Sequence, residues 1–397
     1  MVSSIAEYNS RHLEEKVYLH TDRSYYLCGE ILWFKAYVED AKNNEPLSVS
    51  KVVYVELLNS SHDPVLQAKI AVQNGNGSGS FALPVSLASG NYELRAYTNW
   101  MKNDSASHFF RKFITIVNTT QNLDPSLVNN VPKYDAQFFP EGGNLVSGLK
   151  SLVAFKINDN SGNGLDAQGV IVDQSNDTIT HFETTHFGMG NFYFTPESGK
   201  HYSAIISLKD STVFRKKLPD SYEQGYVMHL NDEGNMIKIL VTSSGQPSST
   251  LYLIAETNRS IDFSQASKSD NGNTVFSINK NDLKDGVAEI TLFNDNRQPV
   301  CERLYFKRPQ KKLLINASAD KQTYNKRKLV KIDLSSSDQS GKVLPGNLSD
   351  SVYRIDDLNQ LQQGNIFTYL WLSSDLKGFI QDPDYYFKND NAATNEA

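Results

Sequence analysis

The sequence has little cysteine and no long apolar run. Its two cysteines, Cys28 and Cys301, are too few for disulfide bonds to stabilise a chain of 397 residues. We therefore expect two small, mostly buried thiols and no disulfide framework. A membrane-spanning helix needs about 18 consecutive apolar residues, and the best candidate, residues 366–372, is far too short. No basic and apolar leader follows Met1, so we expect a protein that is either cytosolic or has lost its targeting signal.

The sequence also lacks an excess of positive charge. It carries 39 Lys and Arg against 45 Asp and Glu, which gives a formal net charge of −6 at pH 7. Binding to a phosphate backbone needs a basic face. Nucleic acid is therefore excluded as the default partner.

The spacings typical of catalytic and metal sites are absent as well. The eight histidines show no pair at metal-ligand spacing, and no nucleophile-elbow or phosphate-loop pattern occurs. Residues 159–164 resemble part of a calcium loop but lack the downstream glutamate of an EF-hand, so they are predicted to form a turn. We therefore predict a protein that is not an enzyme and that has no metal and no cofactor.

The sequence is rich in aromatic residues placed in alternating patterns. Its 20 Tyr and 20 Phe bring the aromatic fraction to 11%, which suits half-buried β-strands. Within residues 15–38, Val17, Leu19 and Thr21 alternate with polar or aromatic neighbours, Gly29 permits a tight turn, and a second apolar run follows. This block predicts two strands joined by a turn.

The same pattern returns near the end of the chain. Residues 319–324 and 328–334 repeat it, and Asp320 lies 298 positions after Asp22. Domains of about 100 residues would place three units between these two aspartates. The chain is therefore predicted to be an array of small β-domains.

Strand-like segments at spacings near ten residues indicate immunoglobulin-like β-sandwiches. The predicted fold is all-β, with tandem sandwiches and a short, partly helical C-terminal segment. The last unit shows only three or four strands, including one near 348–355, so it is either incomplete or finished by further sequence. The predicted boundaries are a lead-in at 1–14, sandwiches at 15–120, 133–218 and 222–308, a linker at 121–132, a partial β-domain with a helical or irregular insertion at 311–387, and a disordered tail at 388–397.

The opening block resembles the second macroglobulin-type domain of the alpha-2-macroglobulin family. That domain has a hydrophobic strand followed by Thr-Asp-Lys/Arg, a tyrosine and Pro-Gly-Glu/Asp, and residues 21–30 match this pattern with Cys28 in place of the usual proline. More narrowly, the chain resembles envelope proteins of Bacteroidetes-type bacteria, in which macroglobulin-like domains precede carboxypeptidase-regulatory-like or TonB-receptor-plug regions. Short sequence segments at 94–101, 139–143 and 188–192 support this resemblance.

The resemblance implies a periplasmic or outer-membrane-associated protein whose signal peptide has been removed. One family feature is missing. Cys28-Gly29-Glu30 begins like the family's thioester motif, but Ile31 replaces the glutamine that would supply the acyl partner of the thiol. We therefore predict that no thioester forms here.

Two aromatic segments are the candidate partner-binding sites. Tyr97, Trp100 and Met101 lie at the end of a predicted strand, where an exposed aromatic residue would anchor a partner. Phe138 and Phe139 follow the linker. The alternative for both segments is structural: Trp100 would cap its own domain or pack on the next one, and the two phenylalanines would form an interdomain contact.

Two functions remain open for such an array. The leading hypothesis is a non-enzymatic scaffold or docking arm of the cell envelope, which binds a larger outer-membrane assembly, such as a TonB-dependent transport complex, through sheet edges and aromatic patches. Its protein partner would be an outer-membrane receptor or transporter. The alternative is a macroglobulin-type protease-binding protein without a thioester, with 121–132 as its candidate cleavage segment.

Overall fold

The computed structural model describes residues 2–121, 134–245, 248–354 and 364–388. It confirms the predicted all-β fold, because three tandem β-sandwiches are followed by a two-stranded hairpin and a short helical segment. The predicted linker 121–132 and tail 388–397 lie outside the described residues, except for the first residue of each. No helix in the described part of the chain is long and apolar enough to cross a membrane.

A short helix, α1 (Val2–Arg11), precedes the first sandwich, and none of its residues is buried. The strands of the first sandwich are β1 (Glu15–Thr21), β2 (Tyr25–Leu27), β3 (Ile31–Asp40), β4 (Val52–Leu58), β5 (Pro64–Ala71), β6 (Asn76–Ala82), β7 (Gly90–Thr98) and β8 (Phe110–Val117). One sheet has the order β1-β3-β6, and the other has the order β2-β8-β7-β4-β5. Alternate residues of β1 and β3 face the core, where Val17, Leu19 and Ala36 are fully buried.

The second sandwich has a core rich in phenylalanine. Its strands are β9 (Asp135–Pro140), β10 (Leu145–Val146), β11 (Ser151–Asn158), β12 (Ala167–Asp173), β13 (Thr178–Glu183), β14 (Met189–Phe194), β15 (Tyr202–Leu208), β16 (Val213–Lys217) and β17 (Ser221–Tyr222). The sheet β14-β11-β9 packs on the sheet β13-β12-β15-β16, and β10 pairs in parallel with β17. Phe155 and Phe182 meet edge to face between the sheets, with ring centroids 4.8 Å apart.

The third sandwich repeats this plan. Its strands are β18 (Gly225–Glu233), β19 (Met236–Ser244), β20 (Thr250–Thr257), β21 (Ser260–Lys268), β22 (Asn273–Asn279), β23 (Gly286–Phe293) and β24 (Pro299–Lys307). The sheet β18-β19-β22 faces the sheet β21-β20-β23-β24. Cys301 lies in this core, where burial raises the pKa of its thiol to about 12.

Asparagine and glycine form tight turns in the first and third sandwiches. Asn74-Gly75 joins β5 to β6 and Asn271-Gly272 joins β21 to β22, and all four residues have positive φ between 48° and 80°. Two consecutive residues of positive φ match the hairpin turn that follows the natural twist of paired strands, and Asn-Gly is its preferred sequence.

The last part of the chain departs from the sandwich plan. A hairpin of β25 (Leu314–Ala319) and β26 (Ile332–Ser337) is followed by irregular chain, including residues 348–354, where the sequence predicted another strand. The described part of this unit therefore has two strands instead of the three or four expected. Helical turns then cover α2 (Ile366–Thr368), Tyr369–Ser373 and Pro383–Phe387.

Candidate functional site

The opening block contains a turn held by a carboxylate. Asp22 follows β1, and its Oδ1 accepts hydrogen bonds from the Tyr26 hydroxyl at 2.6 Å and from the Trp33 backbone N–H at 3.0 Å. Burial, together with this hydrogen bond, raises the pKa of Tyr26 well above its ordinary value. The two hydrogen bonds accepted by Asp22 fix the turn that follows β1.

Cys28 lies in the same turn and has the character of a structural thiol. Its Sγ donates to the Leu87 carbonyl oxygen at 3.4 Å, and burial raises the pKa of the thiol. A thiol with a raised pKa is a poor nucleophile at neutral pH, because the thiolate is the reactive form.

The hairpin β25–β26 repeats the Asp22 turn. The Tyr324 hydroxyl donates to Asp320 Oδ1, and the Lys321 N–H donates to the Tyr324 hydroxyl at 3.0 Å. The Lys331 N–H donates to Asp320 Oδ1 at 3.2 Å. Each of these residues lies 298 positions after its counterpart in the Asp22 turn, so the repeat seen in the sequence is also a structural repeat.

Two of the three residues singled out at the end of β7 are buried. Tyr97 stacks on Tyr54, with ring centroids 5.5 Å apart, and Met101 is 2% exposed. Trp100 is 42% exposed, and its Nε1–H donates to the Leu13 carbonyl oxygen at 2.7 Å. Trp100 thus holds the segment before β1 by a hydrogen bond, while part of its ring remains exposed to solvent.

The other two candidate residues lie on β9 of the second sandwich. Phe138 belongs to the core of that sandwich, whereas Phe139, which points the other way, is 51% exposed. The two candidate segments are therefore on different sandwiches, and the structure does not combine them into one patch.

The residue that reaches the next domain is Glu141, two positions after Phe139. Its side chain is only 5% exposed and binds three groups of the third sandwich. It contacts His229 Nδ1 at 2.6 Å, accepts from the Leu230 backbone N–H at 3.1 Å, and accepts from Arg303 Nε at 3.1 Å. A buried carboxylate needs such partners to be tolerated, so Glu141 ties the second sandwich to the third.

Gly142 allows this junction to close. Its φ is +84°, and an added Cβ would lie 3.1 Å from Met228 Cβ in the third sandwich. Its carbonyl oxygen also accepts from the Glu302 backbone N–H at 3.3 Å. The sequence carries a signal for this joint that strand periodicity does not capture: a carboxylate beside two glycines in the phrase Pro-Glu-Gly-Gly, at the start of a domain.

The C-terminal segment, residues 364–388, packs on the outer face of β1. Lys16 Nζ lies 2.6 Å from Asp375 Oδ1, and both side chains are largely shielded from solvent. The Tyr369 ring lies 5.4 Å from Tyr18 and 5.4 Å from Phe110, centroid to centroid. Burial raises the pKa of Tyr369 well above its ordinary value.

The chain that leaves the hairpin covers the neighbouring part of the same face. His20 Nδ1 lies 2.5 Å from Ser349 Oγ, and the Tyr37 hydroxyl donates to that oxygen at 2.8 Å. Lys35 Nζ donates to the Leu348 carbonyl oxygen at 2.8 Å. Four side chains of the opening block are therefore in contact with chain from beyond residue 340: Tyr18, His20, Lys35 and Tyr37.

The same C-terminal segment also contacts the other two sandwiches. Tyr385 stacks on His186 of the second sandwich, with ring centroids 4.3 Å apart. Phe387 meets Phe306 of the third sandwich edge to face at 5.3 Å. One segment therefore touches all three sandwiches.

An acidic cleft of about 270 Å³ lies between the first sandwich, the third sandwich and the C-terminal segment. Burial raises the pKa of Glu256 and Glu289 on its walls, and it also raises the pKa of Glu14, which pairs with Arg259. Within the described residues, no three or more His, Cys, Asp or Glu side chains are grouped so that they could hold a metal ion.

No protein-family model and no curated protein matches this chain. Among solved structures, it is similar to a Salmonella alpha-2-macroglobulin mutant (11% identity, 81% of this chain and 25% of that one, TM-score 0.23). An Escherichia coli alpha-2-macroglobulin in its native conformation aligns at 11% identity over 81% of this chain and 25% of that one, with a TM-score of 0.23. A BSP domain of a biofilm-associated protein aligns at 12% identity over 77% of this chain and 69% of that one, with a TM-score of 0.24. The chain thus spans about a quarter of the length of these macroglobulins.

Proposed function

We propose that this protein is a non-enzymatic binding and spacing module of the cell envelope, an array of macroglobulin-like domains that docks to a larger outer-membrane assembly. The observation that carries the proposal is the way the sandwiches are joined. Glu141 bridges the second and third sandwiches, and residues 364–388 contact all three.

Joints of this kind suit a spacer, because a spacer must keep its length and direction. Domains in one chain move relative to each other by default unless their interface is substantial. Here the joints use shielded side chains, including the Lys16–Asp375 ion pair and the Glu141 cluster. A small displacement at a joint would leave one charge of such a pair shielded from water and without its partner, which is costly, so the joints oppose changes in the relative position of the sandwiches.

The location and partner belong to the same proposal. The match of residues 21–30 to the macroglobulin-type pattern supports a periplasmic or outer-membrane-associated protein. The partner would be an outer-membrane receptor or transporter, with a TonB-dependent transporter as the specific candidate.

The test is capture of the partner by the tagged chain. The tagged protein is incubated with the solubilised envelope fraction of its source organism and cross-linked, and the products are identified by mass spectrometry. We expect an outer-membrane protein that excess untagged chain displaces. A matched variant, Tyr369→Ala with Glu141→Ala, loosens the joints and should capture the same protein with altered cross-link positions.

Two outcomes would contradict the proposal. Recovery of no outer-membrane protein above the level seen with an unrelated tagged sandwich protein would remove the docking role. Recovery of a protease, together with cleavage of the chain within residues 121–132, would favour the protease-binding alternative.

A further inference from the structure

The hairpin β25–β26 matches β1–β3 of the first sandwich in register as well as in sequence. Ala319 pairs with Ile332, and Ala317 pairs with Leu334. The counterparts 298 positions earlier, Thr21 with Phe34 and Leu19 with Ala36, are paired in the same way. The first sandwich therefore shows what covers such a pair of strands in a complete domain.

In the first sandwich the pair is covered on one edge and on one face. Strand β6 pairs antiparallel with the edge of β3 that faces away from β1, from Tyr37↔Asn76 to Ile31↔Ala82. The five-stranded sheet covers the inner face, so that Leu19 and Ala36 are 0% exposed and Phe34 is 4% exposed.

The hairpin has neither cover in the described part of the chain. Beyond its pairing with β25, strand β26 is bridged at its last two residues only, in the described part of the chain: Ser337 bridges to Val343, and the Ser336 carbonyl oxygen accepts from the Leu344 N–H at 3.0 Å. The Val38 carbonyl oxygen accepts from the Leu47 N–H in the same way beside β6, so this contact leaves the edge at Ile332 and Leu334 free. On the face that corresponds to the core of the first sandwich, Ile315 is 53% exposed, Ile332 is 44% exposed and Leu334 is 48% exposed. The chain that follows, at 347–349 and 364–388, packs on the three sandwiches instead.

A second copy of the hairpin is too small to be the missing cover. Two strands of six residues, at about 3.3 Å per residue and 4.8 Å between strands, present a face of roughly 200 Å². A stable interface buries about 800 Å² per partner. A partner that also adds strands at the edge of β26 can bury more area than the hairpin face alone, because it brings a sheet of its own.

The free edge of β26 has backbone groups ready for pairing. In β3, the Val38 N–H donates to the Gly75 carbonyl oxygen on the β6 side, at 2.8 Å. The residue of β26 that corresponds to Val38 is Ser336. Backbone groups alternate between the two edges of a strand, so the N–H groups of Leu334 and Ile332, two and four residues before Ser336, point to the free edge of β26. An exposed edge of this kind is a template for an added strand.

The charge around the hairpin indicates how the added strand ends. A strand antiparallel to β26 would have its C-terminal end beside the β25–β26 loop. That loop carries five exposed cations: Lys321, Lys326, Arg327, Lys328 and Lys331. Acidic residues at the C-terminal end of the added strand would complement this charge.

We propose that the hairpin accepts a β-strand from a partner protein. The strand pairs antiparallel with β26, its own sheet covers Ile315, Ile332 and Leu334, and acidic residues follow its last paired position. This inference rests on the docking function proposed above, and it names the surface and the recognition mode of that docking.

The test uses a synthetic peptide that copies residues 74–82, which include β6, with three aspartates added after position 82. A control peptide carries the three aspartates before position 74. Amide exchange of the 397-residue chain is followed at Ile332 and Leu334 with each peptide at millimolar concentration. We expect the first peptide to slow both amides at least about tenfold and the control peptide to have less than half of that effect.

Two protein variants complete the test. Leu334→Lys charges the inner face and should abolish the slowing, whereas Ser335→Lys adds the same charge on the opposite face and should leave it. The two peptides keep the test valid even if the substitution at position 334 unfolds the hairpin. Equal slowing by both peptides, no slowing, or slowing that rises with protein concentration without peptide would overturn the proposal.

The envelope capture experiment separates this inference from the proposed function. If Leu334→Lys captures the same outer-membrane protein as the unaltered chain, docking stands and the hairpin is not the surface that carries it. If the unaltered chain captures nothing, the docking function itself fails.

Discussion

At the scale of single residues, carboxylates that suggest chemistry serve to hold turns and joints. Asp22 and Asp320 each accept from a tyrosine hydroxyl and a backbone N–H, and Glu141 accepts across a domain boundary. Hydrogen bonds to charged groups are stronger than neutral ones. These three carboxylates therefore act as structural acceptors.

Glu39 differs from these three carboxylates, because it is buried without a matching cation. It is 6% exposed, its Oε2 has no hydrogen-bond partner, and burial raises its pKa to about 7. Lys16 lies opposite it on β1, but the Lys16 ammonium is directed to Asp375 and the Leu370 carbonyl oxygen. The carboxyl of Glu39 is thus more easily kept protonated in the folded protein than in the unfolded chain.

This arrangement predicts a pH-dependent gain of stability for Glu39→Gln. Between about pH 4.5 and 7 the folded protein holds more protons on this group than the unfolded chain, so its contribution to stability falls as pH rises through that range. Glutamine does not titrate. At pH 8 the variant should be more stable than the unaltered protein by up to about 3 kcal/mol, and at pH 4 the two should be nearly equal.

The measurement is urea denaturation at both pH values. Glu45→Gln, at an exposed position of the loop after β3, is the matched control and should change the free energy of unfolding by less than about 0.5 kcal/mol. A Glu39→Gln effect of the same size at pH 4 and pH 8 would contradict the prediction.

Glu141→Ala should weaken the joint between the second and third sandwiches. It removes the acceptor of Leu230 and Arg303 and the partner of His229, which predicts a loss of about 3 kcal/mol. By differential scanning calorimetry the melting temperature should fall by roughly 5 °C or more. Glu302→Ala, an exposed side chain beside the joint, should change it by about 1 °C at most, and equal effects of the two substitutions would argue against the joint.

At the scale of elements, the strands and the partly helical character of the C-terminal segment were predictable, but the contacts of that segment were not. Residues of β1 and β11 alternate between core and surface, and the sequence shows this period of two as an alternation of residue types. Tyr369 and Tyr385 have no such period. Their partners, Tyr18 and His186, belong to different sandwiches, so their role depends on the tertiary arrangement.

Tyr369→Ala should detach the C-terminal segment from the first sandwich. The ring is partly buried against Tyr18 and Phe110, and truncation of a large aromatic side chain at such a site costs up to about 3 kcal/mol. Amide exchange of Tyr369–Ser373 should accelerate at least about tenfold, whereas β20 should be unaffected. Tyr222→Ala, 60% exposed, is the control. Unchanged exchange of Tyr369–Ser373 would show that this contact does not hold the segment.

At the scale of the whole molecule, the sequence predicted the repeated modules but not their joints. The Asp22 pattern and its return at Asp320 mark the first and last units. Asn-Gly turns join neighbouring strands in the first and third sandwiches. Joints are made by a few residues whose partners are distant in sequence: Glu141 meets Arg303 and Lys16 meets Asp375. A single sequence has no local period that would reveal such pairs.

The joints predict how the whole molecule unfolds. Each sandwich has its own core, and three cores without shared contacts would melt as three separate calorimetric transitions. Because Glu141 and the C-terminal segment connect them, we expect the unaltered protein to melt in one main transition. The double variant Glu141→Ala with Tyr369→Ala should resolve at least two, since each joint is then weakened by up to about 3 kcal/mol. Several resolved transitions in the unaltered protein would mean that the sandwiches are energetically independent, and the spacer function would lose its physical basis.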